Sequence, residues 1–295
     1  MYLRFRLIKA LVQKLPPRAA YAVGAVVAEI YYLFASRNRK NFKANLKHVL
    51  EYRAEDIRSS AARRRIRRIV RKNFRNFAYY LIDFFRFSAL EEKEMENLVE
   101  VEGEENIALG LREGKGLVGV TAHLGNWELA GVVFAGLGFP INAVALSHGN
   151  TKLNRLFTQQ RALGGMKVIP VGSAARASLR ALRNNEVLVI LGDRDVTERG
   201  VVMGFFGAPA QIPRGPSALA ARTGAGVLIG YMVREGTHRY RLTFTPPIEV
   251  DRSRPEAEVE RSIREAMVRR LEEVIGDHLD QWYVYYRIWP DEYKS

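Results

Sequence analysis

The sequence predicts an α/β protein with a mostly parallel sheet flanked by helices and a basic helical region at its N-terminus. Up to about residue 95 the pattern is helical and rich in Arg and Lys, whereas strand-like and helix-like segments alternate after it. Such alternation is typical of parallel sheets covered by helices. A chain of 295 residues can bury a large core. We expect a helical region over residues 1–95 and an α/β region over 96–295.

An apolar stretch at 19–35 is the first helix candidate, and Glu29 is its only charged residue. It is shorter than the roughly 20 apolar residues of a typical membrane span. Basic residues flank it on both sides, unlike the one-sided bias of a spanning helix. We expect a helix that lies in or on a membrane with both ends cytoplasmic, making residues 1–95 a membrane-associating region. A buried core helix and a single span are the alternatives.

A second amphipathic helix is predicted over residues 61–87. One face carries the apolar residues Ile66, Val70, Phe77, Leu81 and Phe84, and the other carries Arg64, Arg68, Arg71 and Arg75. A core helix with a solvated charged back is the simpler interpretation. Contact of the arginines with lipid headgroups or an acidic carrier is the functional alternative.

The remaining segments follow the alternating pattern. Strands are predicted at 116–121, 141–146, 166–171, 186–191, 226–233 and 240–250, and helices at 127–137, 152–163, 174–183, 216–223 and 256–275. The aromatic-rich segment at 281–289 (QWYVYYRIW) predicts a packed or an interfacial C-terminal element.

Composition excludes some classes of site. The chain has no cysteine, which rules out disulfides, thiolate nucleophiles and cysteine-based metal sites. Its five histidines show no metal-ligand spacing, so we expect no metal. The formal net charge of +14 predicts attraction to an anionic partner: a nucleic acid, a phospholipid surface, or an acidic protein or substrate.

The segment TAHLGNWE at 121–128 is the strongest candidate for a catalytic site. His123 follows a predicted strand at its carboxyl end, where open α/β sheets bind ligands. Asn126 is a suitable N-cap, which places Glu128 in the first turn of the next helix. A histidine can take the proton of a hydroxyl, and a carboxylate can orient the ring and stabilise the imidazolium. A purely structural His–Glu pair is the alternative, and His148 is a weaker candidate nearby.

The HLGNWE residues at 123–128 resemble the HxxxxD/E motif of the bacterial lipid A late acyltransferases and the related phosphatidylinositol mannoside acyltransferases. The resemblance continues through LGDRD at 191–195, GFFGAP at 204–209 and PRGPSALA at 213–220, in the family's order. It covers nearly the whole chain. Glu128 is the choice of the lipid A type, whereas the blocks at 193–195 and 204–209 are closer to the mannoside type, which leaves the acceptor open.

The resemblance implies roles for single residues. His123 would be the general base and Glu128 its partner, as the catalytic pair. The implied substrate-binding residues are Arg161, Asp193, Arg194, Asp195, Phe205, Phe206 and Arg214. Arg161 would bind a phosphate or the tetrahedral oxyanion, and the acidic block would position the acceptor headgroup or form a structural turn. The two phenylalanines would wall the acyl groove or lie in the core.

The implied function is a membrane-associated transfer of a fatty acyl group from acyl carrier protein or coenzyme A to a hydroxyl of a lipid or glycolipid acceptor. No GxSxG motif is present, so the substrate would supply that hydroxyl. No cofactor and no nucleic-acid partner are expected. The expected place is the cytoplasmic face of the inner membrane, peripheral or with one N-terminal anchor. A thioesterase or lipid hydrolase on the same site, and a non-catalytic basic protein that binds membranes or nucleic acid, are the alternatives.

Overall fold

The structure, a computed structural model, describes residues 2–87, 92–146, 151–197 and 199–289, so His148 lies outside the described residues. The helices in these ranges are α1 Tyr2–Lys14, α2 Pro17–Phe34, α3 Ser36–Tyr52, α4 Ser60–Arg86, α5 Glu92–Leu98, α6 Glu105–Leu111, α7 Trp127–Gly136, α8 Thr151–Leu163, α9 Ala174–Arg183, α10 Gly215–Thr223 and α11 Glu256–Asp277. The strands are β1 Val99–Glu102, β2 Leu117–Thr121, β3 Ile141–Ala145, β4 Lys167–Pro170, β5 Val187–Leu191, β6 Val201–Phe205, β7 Ala208–Ile212, β8 Gly226–Arg234 and β9 Tyr240–Phe244.

Seven of the described strands form one sheet in the order β1-β9-β8-β2-β5-β3-β4. All neighbouring pairs are parallel except β8 with β9, which is antiparallel. Strands β6 and β7 form a separate antiparallel hairpin. The prediction of a mostly parallel sheet flanked by helices is therefore confirmed.

Four strands differ from the prediction. Strand β9 ends at Phe244 and not at residue 250, because Pro246 and Pro247 have no N–H to continue the ladder. The short β1 was not predicted, and neither was the hairpin of β6 and β7. Phe206 and Gly207 connect that hairpin with φ of +49° and +74°, as a tight hairpin turn requires, but a Phe-Gly pair is a weaker signal than Asn-Gly.

The N-terminal helices pack on each other through α2 and α4. Gly24 permits this approach, since a Cβ there would lie 2.4 Å from Cδ1 of Ile82. Glu29 accepts hydrogen bonds from Arg71 (2.6 Å) and Arg75 (2.7 Å), so its charge is paired across the two helices. Among the described residues, no single helix is long and apolar enough to cross a bilayer; α2 and α3 pass by length and composition only as a pair, bent by 89°.

The hydrophobic core joins the N-terminal helices to the sheet. Leu46 of α3 and Phe74 of α4 belong to the same buried cluster as Val120 of β2 and Leu271 of α11. The boundary that we predict between residues 95 and 96 falls within α5. The helical region therefore buries its apolar side against the α/β region.

Candidate active site

The turn after β2 is held in one conformation by its backbone. Gly125 has φ of +57°, and a Cβ there would lie 1.8 Å from the carbonyl oxygen of Met232, so only glycine fits. The next amide, of Asn126, donates to that same carbonyl at 3.0 Å. Asn126 Oδ1 accepts from the amide of Leu129 at 3.0 Å, which confirms the N-cap and places Glu128 in the first turn of α7.

His123 is paired with a buried aspartate. Its Nδ1 donates to Oδ1 of Asp193 at 2.9 Å, and its backbone amide donates to Oδ2 at 3.1 Å. The indole Nε1 of Trp282 donates to the same Oδ2 at 2.9 Å. Burial alone would raise the pKa of Asp193, but the charge of His123 and these hydrogen bonds hold it below its usual range. With Nδ1 as the donor, Nε2 carries the ring's lone pair, and the ring lines the central cavity.

Glu128 does not orient the ring of His123, which corrects the pairing expected from the sequence. Its carboxylate accepts two hydrogen bonds from Arg161 of α8, from Nε at 2.9 Å and from Nη2 at 2.5 Å. The direction in which α7 leaves the turn is the reason. Trp127, its first residue, presents its ring edge-on to His123 at 5.4 Å, whereas the next residue faces α8. The pKa of Arg161 is raised: burial would lower it, but the bonds and charge of Glu128 outweigh burial.

The acidic block after β5 divides between two roles. Asp193 is only 2% exposed and supports His123, so it is not available to a headgroup. Asp195 accepts hydrogen bonds from Thr197 and from the amide of Gly200, which shapes the following loop at the cavity wall. Arg194 lies over the ring of Tyr286 at 4.7 Å and also lines the cavity.

The two phenylalanines of GFFGAP lie in the core. Phe205 and Phe206 are 0% and 1% exposed and pack against Trp282 and Trp289, away from the cavity. The groove-wall interpretation is therefore wrong, because the hairpin turn folds inward under the C-terminal segment. Arg214 does line the cavity, and Glu260 fixes its guanidinium through two bonds of 2.7 and 2.8 Å.

A cavity of about 1080 Å³ extends from His123 across the carboxyl end of the sheet. Between α7 and the sheet it is an apolar slot, lined by Gly119, Phe134, Leu228, Gly230, Leu242 and Phe244. Its other side is basic and is lined by Arg161, Arg194, Arg199, Arg214 and Arg222. This arrangement can hold a long apolar chain in the slot while the cations attract an anionic group and a base faces the reacting atoms. Within the described ranges, no three His, Asp and Glu side chains are grouped so that they could hold a metal ion.

Three aromatic residues complete the site, although none of them was predicted to belong to it: Tyr80, Trp127 and Trp282. Tyr80 stacks on Trp127 at 4.4 Å, and burial, followed by the charge of Glu128, raises its pKa well above its usual value. Trp282 contacts Asp193 as described. The aromatic-rich pattern at 281–289 was the available signal for Trp282, but local sequence does not reveal which buried carboxylate an indole contacts.

Comparison with known proteins agrees with this geometry. Residues 5–290 match the family model for bacterial lipid A biosynthesis acyltransferases. The chain is similar to phosphatidylinositol mannoside acyltransferases of Mycolicibacterium smegmatis (26% identity, 76% of this chain, 70% of that protein) and Mycobacterium tuberculosis (26%, 72% and 68%). It is also similar to the lipid A biosynthesis palmitoleoyltransferase of Escherichia coli (24%, 72% and 70%). The chain is therefore an acyltransferase, and it belongs to the bacterial lipid A biosynthesis acyltransferase family.

Proposed function

We propose that this acyltransferase moves a fatty acyl group from a thioester of acyl carrier protein or coenzyme A to a hydroxyl of a glycolipid or lipid acceptor at a membrane surface. The observation that carries the proposal is the position of His123, with Asp193 behind it, at one end of a cavity whose slot is apolar. The similar proteins are named as a phosphatidylinositol mannoside acyltransferase and a lipid A biosynthesis palmitoleoyltransferase, which supports a glycolipid acceptor of either kind.

The chemistry needs one base and no covalent enzyme intermediate. Nε2 of His123 takes the proton of the acceptor hydroxyl while its oxygen attacks the thioester carbonyl. The tetrahedral intermediate then collapses, the carbon–sulfur bond breaks, and the imidazolium of His123 returns the proton to the leaving thiolate. Asp193 stays ionised, since its pKa is held low, and stabilises the imidazolium between the two steps.

The ion pair of Glu128 and Arg161 contributes to this mechanism through the guanidinium group. Glu128 occupies Nε and Nη2 of Arg161, which leaves Nη1 for a substrate oxygen at the cavity wall. A guanidinium fixed in this way can stabilise the tetrahedral oxyanion or bind a phosphate of the substrate. In this proposal Glu128 acts on catalysis by holding the arginine.

An exposed apolar stripe supports membrane docking. Side chains spaced three and four residues apart on α2 face solvent: Val23, Val26, Val27, Ile30, Leu33 and Phe34. Leu7, Ile8 and Leu11 of α1 are also exposed. A bilayer surface would cover such a stripe, and the net charge of +14 favours both anionic lipid and the anionic donors. We propose peripheral docking at the cytoplasmic face of the inner membrane.

A thiol-release assay tests the proposal. Palmitoyl-coenzyme A and palmitoyl-acyl carrier protein are supplied with a thiol-reactive dye and liposomes that contain candidate lipid and glycolipid acceptors. The protein has no cysteine and adds no background. We expect release that rises with one acceptor class and falls about 10²-fold or more in His123→Ala. His238→Ala, outside the cavity, is the control.

The same assay separates the alternatives. Thiol release that no acceptor increases would identify a thioesterase or hydrolase. Equal release by wild type and His123→Ala from both donors would contradict the catalytic assignment.

A further inference from the structure

The C-terminal segment 281–283 holds the turn that carries His123. The amide of Gly125 donates to the carbonyl of Gln281 at 2.9 Å, and the amide of Tyr283 donates to the carbonyl of His123 at 2.8 Å. Between these two bonds, Trp282 forms an isolated antiparallel bridge with Leu124. Backbone hydrogen bonds on both sides of Trp282 therefore hold this segment against the turn that carries His123.

Trp282 is itself held by ring packing and by a hydrogen bond to its backbone. It is fully buried, and its ring packs against Phe205 and Phe206. Its carbonyl accepts a hydrogen bond of 2.8 Å from the side chain of Asn73 on α4. The direction of the indole N–H toward Asp193 is therefore set by the N-terminal helices as well as by the core.

We propose that Trp282 is a positioning residue for acyl transfer, whose indole N–H holds the carboxylate of Asp193 in the orientation that binds Nδ1 of His123. The inference rests on the proposed function of this site. Oδ1 of Asp193 serves the imidazole ring, while Oδ2 receives the backbone amide of His123 and the indole. Removal of the indole N–H leaves Oδ2 of Asp193 with one hydrogen-bond donor in place of two. The loss destabilises the ionised carboxylate more than the protonated carboxyl group.

The pH dependence of the site follows from this contact. Without the indole N–H, the ionised form of Asp193 is less stable, so this carboxylate binds a proton more readily and then cannot stabilise the imidazolium of His123. Among the described residues, the other charged groups at this end of the cavity are Arg194 and Asp195 after β5 and the ion pair of Glu128 with Arg161. The hydroxyl of Tyr286 also interacts electrostatically with Asp193. None of the hydrogen bonds of Asp195, Glu128 and Arg161 involves the indole of Trp282.

Trp289 supplies a matched control. It is 4% exposed and packs against Phe205 and Phe206 in the same cluster, but its buried Nε1 has no hydrogen-bond partner among the described residues. Replacement by phenylalanine therefore removes the same atoms from the same core at both positions. Only at Trp282 does it remove a hydrogen bond to Asp193.

The experiment compares Trp282→Phe with Trp289→Phe in the full chain by two measurements. The first is the pH dependence of acyl transfer. We expect Trp282→Phe to lower kcat about tenfold and to move the acid limb about one unit to higher pH. The second is the NMR resonance of the Nδ1–H proton of His123, assigned by its absence from the His123→Ala variant. It should shift in Trp282→Phe alone, because the carboxylate that accepts this proton has lost its other side-chain donor. Trp289→Phe should stay within about twofold of wild type in kcat, as expected for loss of an unbonded N–H.

The comparison of the two variants decides whether Trp282 positions Asp193. Agreement of Trp282→Phe with Trp289→Phe in kcat, in the acid limb and in the Nδ1–H resonance of His123 would overturn the inference. If Trp282→Phe does not fold, benzothienylalanine at position 282, which keeps the two-ring shape without the N–H, replaces it in both measurements. If the wild type transfers no acyl group, the proposed function fails, and the Nδ1–H resonance of His123 then decides by itself whether Trp282 holds Asp193.

Discussion

Asp193 accepts a hydrogen bond from Nδ1 of His123 although 70 residues separate the two in the chain. Strands β2 and β5 are parallel neighbours, and Thr121 is paired in register with Leu191. Each partner of the hydrogen bond follows its strand end by two residues. The register of the sheet therefore sets the geometry of the catalytic pair, and Trp282 secures it from behind.

Replacement of Asp193 by Asn should abolish most activity while the protein stays folded. An amide cannot stabilise the imidazolium and can hold the ring in the wrong tautomer, so we expect kcat to fall by about 10²- to 10⁴-fold. The control is Asp277→Asn, because Asp277 is exposed and pairs with Arg53. Retention of near wild-type kcat by Asp193→Asn, measured by thiol release with acceptor, would show that His123 does not need this carboxylate.

Loss of one partner of the Glu128–Arg161 pair should be costly to stability. The side chains are 5% and 15% exposed, so Glu128→Gln leaves a nearly buried guanidinium without its counter-charge. We expect a loss of about 3 kcal/mol in the free energy of unfolding, measured with urea. The double variant with Arg161→Gln should lose less than the sum of the single variants, and strict additivity would argue against direct coupling.

The pairing of Glu29 should make helix packing depend on pH. Burial by itself raises the pKa of Glu29, but hydrogen bonds from Arg75 and Arg71 lower it below its usual 4.5. A lowered pKa in the folded state stabilises the protein above pH 4.5, and this contribution disappears as pH falls through the folded-state pKa. Because the pair is partly exposed, Glu29→Gln should cost about 1 kcal/mol or less at pH 7 and close to nothing near pH 3. A cost that is independent of pH would contradict this assignment.

Negative charge on the exposed stripe of α2 should weaken membrane docking. Leu33 and Phe34 are 67% and 81% exposed, and the double change to Asp places two anions where the bilayer would be. We expect binding to anionic liposomes in a sedimentation assay to weaken about tenfold or more. Val202 of β6 is 62% exposed outside the stripe, so Val202→Asp is the control. Equal binding by the wild type, the double variant and Val202→Asp would exclude this stripe as the docking surface.

A larger side chain at Gly119 should change the preferred acyl length. A Cβ there would stand 3.5 Å from Cγ2 of Val189, an ordinary contact, so valine fits but fills the apolar slot. We expect Gly119→Val to lower the ratio of palmitoyl to decanoyl transfer about tenfold. Gly204→Val is the control, because a Cβ at Gly204 meets no atom of the described residues within 4 Å. An unchanged ratio would mean that the acyl chain does not enter between α7 and the sheet.

The sequence predicted the elements around the site better than the contacts within it. Asn126 caps α7 as expected, since a cap depends on residues three positions apart. His123 follows β2 as expected, because an apolar run and its end are local features. The carboxylate partner was predicted wrongly, since Glu128 is near His123 in sequence but its helix directs it to Arg161. Phe205 and Phe206 carry no local sign that their hairpin turns into the core.

By itself, the sequence determined the alternation of strands and helices, the apolar face of α4 and the position of His123 at the carboxyl edge of the sheet. These features depend on periodicity, caps and strand ends, which neighbouring residues encode. Only the tertiary structure decided that β5 lies beside β2, that Asp193 therefore supports His123, and that Trp282 supports Asp193. Strand order and the packing of a distant segment arise from the burial of the whole core, which no short stretch of sequence specifies.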